Sequence, residues 1–441
     1  MTPPRDSAAV DLGAVNRKDC GCPQDQQTAA RRGFSRRSFF KGALGAGALT
    51  GLASAELSTR MAFAATPYVG DVVVVLSLRG GFDGLNTVVP TSEPRYEQVR
   101  PNIHIPQGAL IPLDANFGMH PAMQPLVPFW NDASLGFVQA VGMSNPTRSH
   151  FEAMEEMERA APGTSVRTGW LDRTLGLRDS EGAFQAVQMG SSMASSAFLG
   201  NSPELAMWSV DSFDLSGAWD NAERQRWRQA LEGLHANAPD PIGAPAATTL
   251  GALSTAGDLQ DAGYTPAGGA NYPNTGLGRA MRDVARIIKA DIGLQVAAVD
   301  FGDWDMHVDL GSVDDGWLYD KLSELARSLA AFATDLGTGM DDVTVITMTE
   351  FGRSLTENGS GGVDHGHGQA VLLLGGGVNG GVVHGDWPGL ANDALVDGDL
   401  AGTTDYRQLL AEVLEKRCGA SVSTIFPNAP AERIGVVTPR V

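Results

Sequence analysis

The residues best suited to chemistry fall into two short stretches. Asp303-Trp304-Asp305-Met306-His307 places two carboxylates and an imidazole within five residues, and Asp364-His365-Gly366-His367 places a carboxylate and two imidazoles within four. Asp83 and Glu350 each stand just beyond an aliphatic, β-branched run, Asp71–Leu78 and Val343–Met348 respectively. Neutral imidazole and carboxylate suit zinc, manganese or iron, and the lack of thiolates argues against a structural zinc knot. The metal candidates are therefore Asp83, Asp305, His307, Glu350, His365 and His367. If their loops converge, they can hold two divalent ions that polarise an ester oxygen and activate water. Each piece also has a plainer reading. Asp, Asn and Gly stabilise turns without any ligand, and Asp83 after Gly80-Gly81 suits a turn or a helix cap.

The elements that must position these groups are legible as pattern. Asp71–Leu78, Leu135–Val141, Leu294–Val299, Val343–Met348 and Ala370–Leu374 read as strands. Ser149 precedes an acidic helix, His150 to about Ala160, with Glu152 in the capping-box position. Further helices are expected over Asn221–His235, Gly278–Ile292, Trp317–Leu336 and Asp405–Lys416, and loops over Ala262–Thr275 and Glu357–Gly368. Strands separated by helices predict an α/β fold, with a mostly parallel central sheet covered by helices on both faces. Ligand sites in such sheets lie beyond the carboxyl ends of the strands. Residues 180–276 resist this reading and are expected to form an insertion or cap.

The chain of 441 residues has 32 basic and 51 acidic residues, a formal charge of −19. That balance argues against a nucleic-acid partner, which needs clustered Lys and Arg. At the N-terminal end, Arg36-Arg37 precede Phe39-Phe40-Lys41, the charge-free run Gly42–Ala55 follows, and Ala62-Phe63-Ala64 offers a small-x-small cleavage site. This is the order of a signal peptide over residues 1–64, of the twin-arginine type, leaving one mature domain over 65–441. The expected partner is the twin-arginine export machinery, and the expected location is periplasmic or extracellular. Membrane contact is expected only through the leader, if it stays uncleaved. Loss of that leader removes nine basic and five acidic residues and takes the net charge to −23. It also removes Cys20 and Cys22, so Cys418 can form no intrachain disulfide.

Several blocks in order resemble an exported bacterial family known as domain of unknown function 1501. They are Leu78–Pro90, Phe117-Gly118-Met119-His120-Pro121, Arg148-Ser149-His150-Phe151-Glu152, Thr349–Arg353 with Glu357–Gly362, and Asp364-His365-Gly366-His367. Gly385–Leu390 and Thr404-Asp405-Tyr406-Arg407 complete the series, which spans nearly the whole mature chain. The resemblance implies an alkaline phosphatase-like or sulfatase-like fold and a divalent metal cofactor. It matches Asp83 to the first metal aspartate and, by position, Ser149 to the nucleophile. Asp305 and His307 match the mid-chain ligands, with Asp303 as an extra candidate at a usual glycine position. The final histidine is His365 or His367. Glu350-Phe351 stands where the superfamily has Asp-His, and a phenylalanine cannot bind metal.

Two functions follow. The first is an exported hydrolase of small phosphate or sulfate esters. There Ser149 or a water attacks, Arg148 and Arg353 hold the anionic oxygens, and His150 is the general acid. Ser149 can equally be only a cap, the arginines only ion-pair partners, and His150 a satisfied core residue. The second function is an inactive relative that binds or assembles with an envelope component.

Overall fold

The strand β1, Val72–Ser77, already requires two cores. Successive side chains of a strand point to opposite faces, so Val74 and Leu76 enter one apolar cluster and Val73 and Val75 another. The computed structural model describes residues 70–177, 182–217, 220–239 and 242–440. The leader expected over 1–64 and its cleavage site lie outside the described residues.

After β1 comes a glycine turn and the short helix α1 (Gly84–Thr87), then β2 (Leu135–Gly142), α2 (His150–Arg159) and α3 (Trp170–Leu175). Next are β3 (Ala186–Met189), β4 (Leu205–Met207), α4 (Asn221–His235), α5 (Gly243–Ala262) and α6 (Gly276–Lys289). The chain continues through β5 (Val296–Asp300), α7 (Trp317–Leu336), β6 (Val343–Met348), β7 (Arg353–Glu357), β8 (Val363–His365) and β9 (Gln369–Gly375). Then come β10 (Val383–His384), β11 (Thr404–Asp405) and α8 (Tyr406–Cys418), followed by a short helix over Val422–Ile425.

Nine strands form the central sheet, in the order β10-β2-β9-β6-β1-β5-β3-β4, with β11 also pairing with β2. Among the described residues β9 alone runs against its neighbours, and the other pairs in this sheet are parallel. One face is covered by α6 and α7 through Met281, Val284, Leu318, Leu322, Leu325 and Leu329. The other is covered by α2, α3 and α8 through Met157, Trp170, Leu409, Leu410 and Val413. The expected α/β class, with a mostly parallel sheet and helices on both faces, is the observed one.

Three expectations need correction. Residues 180–276 are not wholly an insertion or cap, because β3 and β4 extend the sheet beyond β5. Strands of four and three residues are too short to show a period. The stretch Glu357–Gly368 is not all loop, since β8 pairs antiparallel with β7. Ser149 caps α2 by accepting the Glu152 amide at 3.5 Å, yet Glu152 does not return the bond. Its carboxylate accepts from the Thr147 hydroxyl at 2.9 Å, and the Ser149 amide donates to the same hydroxyl at 3.2 Å. Among the described residues no helix is long and apolar enough to cross a membrane.

The one reversed strand matters for the site. The carboxyl ends of β1, β2, β5 and β6 share an edge, and β9 begins at that same edge. The segments carrying Gly80, His150, Asp305, Glu350 and His365 are therefore delivered to one rim of the sheet.

Candidate metal centre

Close approach of these segments depends on two glycines. Gly80 (φ +118°) and Gly81 (φ +84°) lead out of β1 in conformations that L-residues rarely adopt. A Cβ on Gly80 would lie 2.7 Å from the Asp305 amide nitrogen, and one on Gly81 would lie 2.8 Å from the Phe351 ring. Arg353, fully buried, then ties the segments together. Its Nε donates to the Gly81 carbonyl at 2.8 Å and its Nη1 to that of Val363 at 3.2 Å. Its Nη2 donates to the Gly80 carbonyl, to that of Trp304 at 3.0 Å and to Asp305 Oδ1 at 2.6 Å. Expected to hold an anionic substrate, Arg353 is instead spent on building the rim.

Asp305 Oδ1 is the focus. His307 Nε2 lies 2.9 Å from it, His365 Nε2 3.2 Å and His150 Nε2 3.4 Å. His150, Asp305 and His365 offer ligand atoms all within 4.8 Å of one another. His307 Nε2 is in turn 3.0 Å from His365 Nε2. Each ring is held from behind. At 2.8 Å, His150 Nδ1 meets Glu350 Oε1, His307 Nδ1 meets Asp364 Oδ1, and His365 Nδ1 meets the Arg148 carbonyl. Carboxylate and carbonyl oxygens only accept, so these Nδ1 atoms carry protons; a neutral ring then presents its Nε2 lone pair to the centre, whereas His150, when protonated, donates from Nε2 to Asp305. An acceptor behind each ring is the usual support of metal-ligating histidine.

The electrostatics couple Asp305 to the groups around it. Burial raises the Asp305 carboxyl, but hydrogen bonds from His150, His365 and Arg353 hold it well below the usual carboxylate range. Hydrogen bonds to Asp305 and Glu350 push His150 up to about 9, against the opposing effect of burial. A protonated His150 opposes a cation, so it must give up its Nε2 proton before it can act as a ligand. Three imidazole nitrogens and a carboxylate oxygen fit zinc, manganese or iron. The side chains of Asp305, His307, His150 and His365 are 44%, 36%, 30% and 21% exposed. A purely structural metal site is normally closed, whereas this one is open to solvent.

Of the sequence candidates, Asp305, His307 and His365 meet here. Asp83 does not: its buried carboxylate pairs with Arg100 Nη1 at 2.7 Å and caps α1 through the Asn86 amide at 3.4 Å. Arg100 Nη1 reaches both oxygens of this buried carboxylate, at 3.0 and 2.7 Å, and among the described residues no group of candidate metal ligands includes it. Glu350, also buried, accepts from the Gly80 amide at 2.8 Å and supports His150 from behind. The two-ion arrangement resting on Asp83 and Glu350 is therefore not assembled. Phe351 packs its ring 4.8 Å from both the His150 and His365 rings, as an apolar wall.

His367 stands apart from the cluster, in the wall of a neighbouring cavity. Ser149 Oγ is the helix cap described above, not an oriented nucleophile. The Arg148 side chain pairs with Asp399 at 2.5 Å. Exposed Asp303, at φ +63°, is also outside the cluster. His150, expected as a general acid, instead joins the cluster, and Asp364, with no separate role expected, holds the His307 ring. The signal for His150 was its place at the first turn of a helix just after β2, but the direction of its ring was not legible.

Fold and site together define an α/β protein with a candidate metal centre on the carboxyl rim of its sheet. The chain belongs to the family described as "Protein of unknown function (DUF1501)", whose model matches residues 71–419. Among solved structures, it is similar to the phosphonate monoester hydrolase of Agrobacterium radiobacter, with 11% identity and a TM-score of 0.33. That similarity covers 82% of this chain and 78% of the other. No curated protein matches the chain.

Proposed function

We propose that this chain is an exported, metal-dependent hydrolase of small phosphate or sulfate esters with a single metal centre. The observation that carries the metal reading is the meeting of three Nε2 atoms at Asp305, each ring backed by an acceptor. His150, Asp305, His307 and His365 would hold the ion. When bound, a divalent ion supplies Lewis acidity toward an ester oxygen. The protein's own part is orientation and access. Glu350, Asp364 and the Arg148 carbonyl fix the rings, Phe351 keeps water from one side, and the solvent-facing side admits substrate. The ester class rests on the family resemblance in the sequence. Export rests on the twin-arginine leader, which names the export machinery as partner.

The second reading, an inactive binding or assembly protein of the envelope, is favoured by specific features. The Ser149 hydroxyl is spent as a cap, both arginines are paired, and Phe351 occupies a ligand position of the wider superfamily. Elemental analysis of the purified mature protein, with a screen of phosphate and sulfate esters, separates the two. The hydrolase reading expects stoichiometric metal and turnover, both lost in His307→Ala. Negligible metal after growth in metal-replete medium, with no turnover on adding zinc or manganese, supports the binding protein instead.

A further inference from the structure

Beside the metal centre, sharing Glu350 and Phe351 with it, lies a cavity of about 220 Å³. Its walls include Met143 and Thr147 from the segment after β2, Val396 from a small hairpin, and His367. His367 is 7% exposed, and its Nδ1 has no hydrogen-bond partner. Its Nε2 has only a 3.6 Å approach to the exposed carboxylate of Asp397. A buried imidazole without partners is costly unless something supplies them. The lining contains no Lys or Arg, and its one acidic residue is Glu350. Nearby Arg148 is spent on Asp399. An anionic group is therefore disfavoured in this space.

We propose that this cavity is a subsite for a neutral, hydroxyl-bearing group, of the kind a sugar or polyol presents, with His367 as its polar anchor. A neutral imidazole offers one donor and one acceptor, which matches a hydroxyl that both accepts and donates. Phe351, Met143 and Val396 offer apolar contact to the C–H face of such a group. Resting on the hydrolase reading, this assigns the uncharged alcohol portion of the substrate to the recess and the reacting group to the metal centre.

The test is binding of methyl α-D-glucopyranoside and of glycerol, followed by saturation-transfer NMR on the metal-loaded full chain. His367→Leu removes the anchor, and Val396→Trp fills the mouth from a residue that is 39% exposed. Each variant should weaken glucoside binding about tenfold or more, the loss of a buried hydrogen bond or of the space itself. Metal content and unfolding midpoint should remain those of the unsubstituted chain. Glucoside binding that is absent, or unchanged in both variants, overturns the proposal. So does loss of metal in His367→Leu, which would place that residue in the metal centre, or displacement of the glucoside by inorganic sulfate. If the unsubstituted chain holds no metal yet binds the glucoside through His367, the subsite stands and the hydrolase reading falls.

Discussion

Replacing Asp364 by alanine separates the orientation of a ligand from the ligand itself. The Asp364 carboxylate accepts from His307 Nδ1 at 2.8 Å and from Asn358 Nδ2 at 3.1 Å, and its side chain is 63% exposed. It makes no contact with the Nε2 side of the cluster. Loss of a partner behind a metal-bound histidine typically weakens metal affinity about 10- to 100-fold. At this exposure solvent screens the carboxylate, so the lower end applies: about tenfold, or about 1.4 kcal/mol of binding free energy. Metal-free stability should hardly change, because Asn358 keeps its bond to the His307 carbonyl at 2.8 Å. The assay is a zinc or manganese titration against a competing chelator, beside thermal unfolding of the metal-free protein. His307→Ala serves as the reference for complete loss. Were Asp364→Ala to bind metal as tightly as the unsubstituted chain while His307→Ala did not bind it at all, the argument that the acceptor sets the ring would be wrong.

Further outcomes follow from the same structure. His150 is held protonated up to about 9 in the metal-free protein, and a ligand must be neutral, so metal binding releases that proton. Apparent affinity should fall about tenfold per pH unit below 9, and calorimetry in buffers of different ionisation enthalpy counts the proton. Because the folded-state value lies above the ordinary one of about 6.5, the stabilisation it gives the metal-free chain is complete below that pH. It is lost as pH rises through 9, visible as a falling unfolding midpoint. Arg100→Met strands the buried Asp83 carboxylate and should cost about 3–5 kcal/mol in denaturant unfolding. Asp83→Asn should leave metal content unchanged, whereas a drop would restore Asp83 as a ligand. Gly80→Ala forces a side chain into φ +118° and against the Asp305 amide, a strain of about 1–3 kcal/mol before the clash is counted. Lower stability together with lost metal, measured on the same sample, is expected.

Much of the architecture was legible because it is written in local pattern. The alternation of Val73, Val74, Val75 and Leu76 sends side chains to two faces, and the helix over Trp317–Leu336 buries Leu318, Leu322, Leu325 and Leu329 at helical spacing. β3 and β4 were missed because strands this short take their identity from pairing with β5 and with each other, not from a period of their own. Asp305, His307 and His365 were legible as ligand candidates through residue type and local density.

What only the folded chain decided is which distant groups face one another. Asp83 had the right residue type at the right strand end, yet Arg100, seventeen positions on, claims it. His150 lies far from Asp305 along the chain, and its ring reaches that carboxylate only because β2 and β5 deliver both to the same rim. His365 and His367 are two residues apart in sequence, yet one joins the cluster and the other faces the cavity. Composition and spacing determine which atoms can bind a cation or a hydroxyl. The direction in which each ring points depends on its particular contacts, such as the acceptors behind the three clustered rings, and those come from elements that meet only when the sheet is complete.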